Sequence, residues 1–224
     1  LPSIIADTGH LAARTYDAEV IRAVLFDFGG VILSSPFEEF ERYEQASGLP
    51  LGTIRKINST SPDTNAWARL ERSEFSIPEF VEAFESEAAA LGYPVDGFAV
   101  LACLRGSLRP EMVRAIDLCK EHYSVALLTN NIVSEPTTNS ELRDVIARFD
   151  VVIESSRVGV RKPEARFYEI ALEQLGVAAD ETVFLDDLGI NLKPARAMGM
   201  ATIKVADPLV ALSELSELLG RPLR

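Results

Sequence analysis

The sequence predicts an α/β fold: a doubly wound parallel sheet with a helical subdomain inserted after its first strand. Three observations predict it. Compact apolar runs recur along the chain and end in polar residues or glycine. Helical patterns alternate with them. Between Ser34 and Ser107 the alternation stops and only helical patterns remain. Strands that alternate with helices make βαβ units, and these build a parallel sheet covered on both faces.

The first strand is read in Arg22–Phe28, which runs into Gly29-Gly30. A short run with no polar side suits a buried parallel strand. Ser124–Thr129, Asp150–Ile153, Glu181–Leu185 and Ala201–Val205 read the same way. Helices are expected over Pro110–Glu121, Glu164–Leu175, Leu192–Met198 and Pro208–Leu219. Two of them open with proline, and three stop at Gly176, Gly199 and Gly220, residues suited to helix starts and ends. Pro36–Ala46, Leu51–Asn58, Ile77–Leu91 and Val95–Leu104 look helical inside the insertion, with a polar loop over Asn58–Asn65. Residues 20–33 and 108–224 are therefore expected to form the core, 34–107 a helical cap, and 1–19 an N-terminal extension.

Composition narrows the function. The 224 residues carry 22 Lys+Arg against 34 Asp+Glu, a net charge of −12. That balance argues against nucleic acid or an anionic membrane as the main partner. It leaves room for a phosphorylated substrate, because a bound cation inverts the local field. The longest apolar run, Phe98–Leu104, is far too short for a membrane span. Cys103 and Cys119 read as two buried thiols, and with His10 and His122 the only histidines, a zinc site is excluded. The first residues lack the features of a secretion signal. Cytoplasm is the default compartment, with an organelle left open if a targeting peptide has been removed.

Asp27, Thr129, Lys162 and the pair Asp186-Asp187 fall at strand ends or a helix start. Singly, each is accounted for by a turn or a cap. Together they would converge on one end of one sheet, where ligands of such sheets bind. The chemistry they suit is phosphoryl transfer through an aspartyl-phosphate. A carboxylate attacks a phosphate dianion poorly, and a hard cation such as Mg²⁺, held by Asp27, Asp186 and Asp187, relieves the repulsion. Thr129 would bind phosphate oxygens and Lys162 would clamp them. A receiver domain uses the same residue types, but its acidic pair comes first in the chain; here it comes last.

VLFDFGGVI (Val24–Ile32), ALLTNN (Ala126–Asn131), RKPEARFYEIALEQLGV (Arg161–Val177) and VFLDDLGINLKPARAMGMATIKV (Val183–Val205) resemble the four motifs of the haloacid dehalogenase (HAD) superfamily. The last two blocks are similar to a narrower group: the N-terminal phosphatase domain of soluble epoxide hydrolase and the HAD-like domain of multidomain acyl-CoA dehydrogenase proteins. The resemblance implies that Asp27 is the nucleophile, that Thr129 with Asn130 beside it binds phosphate, and that Lys162 clamps it. It implies a Mg²⁺ site from Asp27, the backbone carbonyl of Gly29, and Asp187 ahead of Asp186, with Asn191 in support. It also implies a small phosphorylated substrate, and a homodimer is compatible with it.

One departure matters. Most HAD phosphatases carry a second Asp two residues after the nucleophile as acid and base; here that residue is Gly29. A positioned acid typically contributes about 10²–10⁴-fold, so slow turnover is expected on alkyl phosphates and less penalty on better leaving groups. Glu71, Arg69 and Glu74 are candidate replacements from the cap, and each reads more plainly as part of a solvated helix face. Trp67 is expected to pack inside the cap, with the substrate entrance as the alternative. The runners-up are a low-activity binding or dimerisation module and, behind it, a metal-free haloacid dehalogenase. The intact acidic pair disfavours the latter, since uncompensated buried carboxylates are costly.

Overall fold

The computed structural model describes residues 20–131 and 139–223. Five parallel strands stand in the order β3-β2-β1-β4-β5: β1 Ala23–Phe26, β2 Ser124–Thr129, β3 Val151–Glu154, β4 Thr182–Asp186 and β5 Ala201–Lys204. The sheet is the expected one, with the first strand central. Ends differ by a residue or two: Arg22 and the Asp27–Phe28 pair lie outside β1, and Asp186 closes β4.

Alternation along β1 divides the core. Val24 and Phe26 join a cluster containing Met112, Ile116, Leu212 and Leu215. Ala23 and Leu25 face the other way, toward Phe167, Tyr168, Leu192 and Ala195. Side chains of successive strand residues point to opposite faces, so one four-residue strand supplies both layers. The layers are completed by α6 (Pro110–Lys120) and α11 (Pro208–Leu219) on one face and α9 (Ala165–Leu175) and α10 (Gly189–Met198) on the other.

The insertion contains α1 (Pro36–Ala46), α2 (Thr53–Ser59), α3 (Ala66–Glu71), α4 (Ile77–Ala90) and α5 (Gly97–Ala102). It has a core of its own, built on Phe40, Ile54, Ile57, Leu70, Phe80, Phe84 and Val100. Where the chain leaves and returns, Leu33 and Leu108 form an antiparallel bridge and the Ser34 N–H donates to the Ser107 carbonyl at 2.8 Å. The two segments run so close at Gly106 that a Cβ there would lie 2.9 Å from Leu33 Cβ and from the Ser34 carbonyl oxygen.

Short helices escaped the pattern reading. α3, α7 (Ser140–Ile146) and α8 (Ser155–Val158) fall where no helix was expected, and α5 is four residues shorter than Val95–Leu104. One or two turns display too little of the 3.6-residue period to be recognised. His10 lies outside the described residues. His122 is exposed beside Arg221, with Nε2 3.2 Å from the Arg221 guanidinium. Cys119 is buried, and burial lifts its thiol to about 12; Cys103 is half-buried. Among the described residues, no helix is long and apolar enough to cross a membrane.

Candidate active site

Backbone register assembles the site. Phe26 pairs with Leu127 on one side and Leu185 on the other, so Asp27 stands level with Asp186 and one residue short of Thr129. Three polar side chains thus emerge at adjacent carboxyl ends, Asp27 and Thr129 each 7% exposed and Asp186 fully buried.

Lys162 comes from the segment between α8 and α9, and its side chain is 1% exposed. Its three ammonium hydrogens have three acceptors: Asp27 Oδ1 at 2.7 Å, Asp186 Oδ2 at 2.8 Å and the Leu128 carbonyl at 2.9 Å. Asp186 is held in turn by the Leu188 N–H at 2.8 Å on Oδ1 and by Asn191 Nδ2, 3.1 Å from each oxygen. Its carboxylate is therefore saturated by partners within the chain. Asn191, expected in support of the acidic pair, is buried and bonded to it.

Asp27 caps the turn that follows β1: its Oδ1 accepts the Phe28 N–H at 2.6 Å. That oxygen also meets Lys162 at 2.7 Å, so both contacts fall on Oδ1. The turn is closed by the Leu33 N–H on the Phe28 carbonyl at 2.8 Å, and Arg109 Nη1 braces it at the Gly30 carbonyl at 2.7 Å. Gly30 has φ +78°, and a Cβ there would sit 2.2 Å from Asp187 Oδ2. Only glycine brings the backbone that close to the second carboxylate. Gly29 is different. Its φ is −70° and a Cβ would meet nothing within 4 Å, so the turn would accept a side chain at that position.

Ligand oxygens from Asp27, Asp186 and Asp187 lie within 4.8 Å of one another, a set able to hold a metal ion. Against one Lys162 ammonium, the three carboxylates leave an excess of negative charge. Burial raises Asp27 well above the usual carboxylate range; the Lys162 charge pulls it down, and Asp186 and Asp187 push it up. Burial and the Asp186 charge raise Asp187 to about 6, against the pull of Lys162 and Arg109. Burial lowers Lys162, but Asp186 and Asp27 outweigh that and keep it protonated. Crowded acids that resist ionisation are what a hard, oxygen-seeking cation relieves.

The Asn130 side-chain amide is bonded within the chain. Its Oδ1 accepts the Lys162 N–H at 2.8 Å, and its Nδ2 donates to the Lys162 carbonyl at 3.0 Å and to Glu71 Oε2 at 3.2 Å. Both amide donors are engaged, so the side chain grips the Lys162 backbone. Glu71 is a further site-adjacent residue that a reading as a solvated face undervalued: it is 8% exposed and reaches the core from α3. Arg69 and Glu74 are both exposed, and Glu74 pairs with Arg69 and Arg72. Trp67 packs among Phe40, Phe80 and Phe84, with ring centroids 6.3, 5.3 and 6.0 Å away.

A family model described as haloacid dehalogenase-like hydrolase matches residues 21–199. The chain belongs to this family of hydrolases. It is 36% identical over 220 residues to acyl-CoA dehydrogenase family member 10 of Mus musculus, covering 96% of this chain and 20% of that protein. It is 31% identical over 217 residues to bifunctional epoxide hydrolase 2 of Sus scrofa, covering 89% of this chain and 39% of that one. The chain thus spans only a minor part of these two relatives. Sesquiterpene phosphatase astK of Aspergillus oryzae is 31% identical over 207 residues, covering 89% of this chain and 97% of its own. Among solved structures, a predicted HAD-like family hydrolase from Porphyromonas gingivalis superposes with a TM-score of 0.63 at 22% identity, covering 88% of this chain and 98% of that one. A HAD family enzyme from Bacteroides thetaiotaomicron, in complex with magnesium and inorganic phosphate, gives 0.56 at 21% identity, covering 82% and 93%.

Proposed function

We propose that the chain is a Mg²⁺-dependent phosphatase of a small phosphorylated metabolite, working through an aspartyl-phosphate on Asp27. The observation that carries this reading is the Lys162 ammonium seated between Asp27 and Asp186, with Asp187 beside them. Asp27 Oδ2 forms the bond to phosphorus as the bond from phosphorus to the leaving oxygen breaks. Water protonates that oxygen. A second water then attacks phosphorus, releasing phosphate and restoring the carboxylate. Lys162 neutralises charge at the nucleophile, and the Thr129 hydroxyl holds a phosphate oxygen. The donor set is all oxygen, as Mg²⁺ prefers. Since Asp186 is saturated, Asp187 and Asp27, with the Gly29 carbonyl, are the residues that would hold the cation. A bound cation would supply positive charge that offsets the repulsion between the carboxylate nucleophile and the phosphate. The inserted helices would act as a cap over this mouth. The phosphatase named among the relatives and the magnesium and phosphate held by one structural neighbour support the reading.

The experiment compares phosphates of graded leaving-group pKa in wild type and Gly29→Asp. Wild type is expected to hydrolyse aryl and acyl phosphates well and alkyl phosphates slowly. Gly29→Asp, for whose Cβ there is room, should raise the alkyl rate by about 10²-fold, the low side of what a positioned acid contributes. A flat leaving-group dependence with no gain from the substitution removes the idea that the missing acid limits turnover. A second reading is a binding or dimerisation module within a longer protein. Gly29 and the multidomain lengths of two relatives favour it. Absence of Mg²⁺-dependent p-nitrophenyl phosphate hydrolysis would select it.

A further inference from the structure

The phosphate clamp is tied to the inserted helices through one carboxylate. Glu71, at the end of α3, accepts three hydrogen bonds. Its Oε1 takes Trp67 Nε1 at 3.0 Å, and its Oε2 takes Arg161 Nε at 2.5 Å and Asn130 Nδ2 at 3.2 Å. The two core residues it grips are the immediate neighbours of the two phosphate-binding candidates: Asn130 follows Thr129, and Arg161 precedes Lys162. Asn130 in turn holds both backbone groups of Lys162. Two successive hydrogen bonds, through Asn130, therefore link the inserted helices to the backbone that aims the ammonium.

The surrounding contacts between insertion and core are also polar. Arg161 Nη1 donates to the Pro62 carbonyl at 3.1 Å, Ser73 Oγ donates to the Ser156 carbonyl at 2.9 Å, and Arg72 stands 3.6 Å from Glu164. Burying the Glu71–Arg161 pair, whose side chains are 10% and 15% exposed, is a poor way to gain stability, because desolvation offsets the attraction. It is a good way to fix one register between two bodies, since the hydrogen bonds are directional and fail together when displaced.

We propose that Glu71 is a positioning residue, a register pin through which the inserted helices set the place of Lys162 at the phosphate. It acts through Asn130 and Arg161, not on the substrate. The inference rests on the phosphatase reading for its kinetic consequence, but the contact has its own reporter: Trp67, the single tryptophan of the chain, is bonded to the same carboxylate.

The discriminating variant is Glu71→Gln. It keeps the volume, yet a single amide oxygen cannot satisfy three donors that a carboxylate accepts. A packing role predicts full rescue by Gln. The pin predicts a fall in kcat of about tenfold to 10²-fold, the scale of a small misplacement at a reacting centre, with KM nearly unchanged. Arg161→Met should show the same split, and the double variant should lose no more than the single ones, since the residues act as one unit. Wild-type kcat in Glu71→Gln, a loss confined to KM, or additive losses overturn the proposal. If the wild-type protein hydrolyses no phosphate ester with Mg²⁺, the phosphatase reading falls, and tryptophan emission decides the pin alone. Mg²⁺ with inorganic phosphate should then shift the Trp67 emission in wild type and not in Glu71→Gln. An equal shift in both, or no shift in wild type, overturns the pin.

Discussion

Asp27→Asn is expected to abolish Mg²⁺-dependent p-nitrophenyl phosphate hydrolysis, a loss of at least about 10³-fold, as for removal of other covalent nucleophiles. The substitution is nearly isosteric. An asparagine oxygen can still accept from the Phe28 N–H and from Lys162, the two contacts that Asp27 Oδ1 makes now. What disappears is the second carboxylate oxygen, the one proposed to bond phosphorus. Stability should not suffer, because burial and the neighbouring acids already disfavour the Asp27 charge. The melting temperature is therefore expected to hold or rise while activity vanishes. Measuring both on one preparation separates a lost nucleophile from a lost fold. Retained activity in the folded variant would remove Asp27 from the chemistry.

Lys162→Met is expected to reverse that pattern, costing both stability and activity. The ammonium is buried and all three of its partners are acceptors within the chain. Removing it leaves two buried carboxylates facing each other without compensation. Breaking a buried pair from one side typically costs about 3–5 kcal/mol. For a chain of this size each kcal/mol lowers the melting temperature by about 2–4 °C, so a fall of about 6–20 °C is expected. Adding Asp186→Asn should recover part of it, because the second substitution removes the stranded charge. Thermal melts of the single and double variants check the sign. A Lys162→Met protein as stable as wild type would mean that the ammonium does not hold the acids together.

Three of the site's side chains were legible in the chain. Apolar runs that stop at Asp27, Thr129 and Asp186 place polar groups at carboxyl ends, and a parallel sheet brings those ends to one edge. Lys162 was not placed by that logic. It sits away from any strand end, on a segment whose course depends on the Asn130 amide gripping its backbone. Its position at a helix start and its positive charge among acids suggest a clamp, the resemblance of its motif implies the same role, and the structure shows its contacts with Asp27 and Asp186. Gly30 gave no signal of its own; the approach of Asp187 that demands a glycine is a tertiary fact.

The inserted helices were the least legible part. Asn58–Asn65 read as loop, and the helix after it spans only Ala66–Glu71. The local signal was present: Asn65 Oδ1 caps the helix by accepting the Ala68 N–H at 2.9 Å, and good helix formers follow. Glu71 could not be told from a solvated acid by pattern alone. Its burial comes from Arg161 and Asn130, 90 and 59 residues further on.

The central claim is that phosphate is transferred to Asp27. Incubation of the wild-type protein with Mg²⁺ and an aryl or acyl phosphate, rapid acid quench, borohydride reduction and peptide mass spectrometry tests it directly, because an aspartyl-phosphate is reduced to homoserine. The account predicts homoserine at position 27 and at neither 186 nor 187. Homoserine at another aspartate, or hydrolysis that proceeds with none formed at position 27, would contradict it.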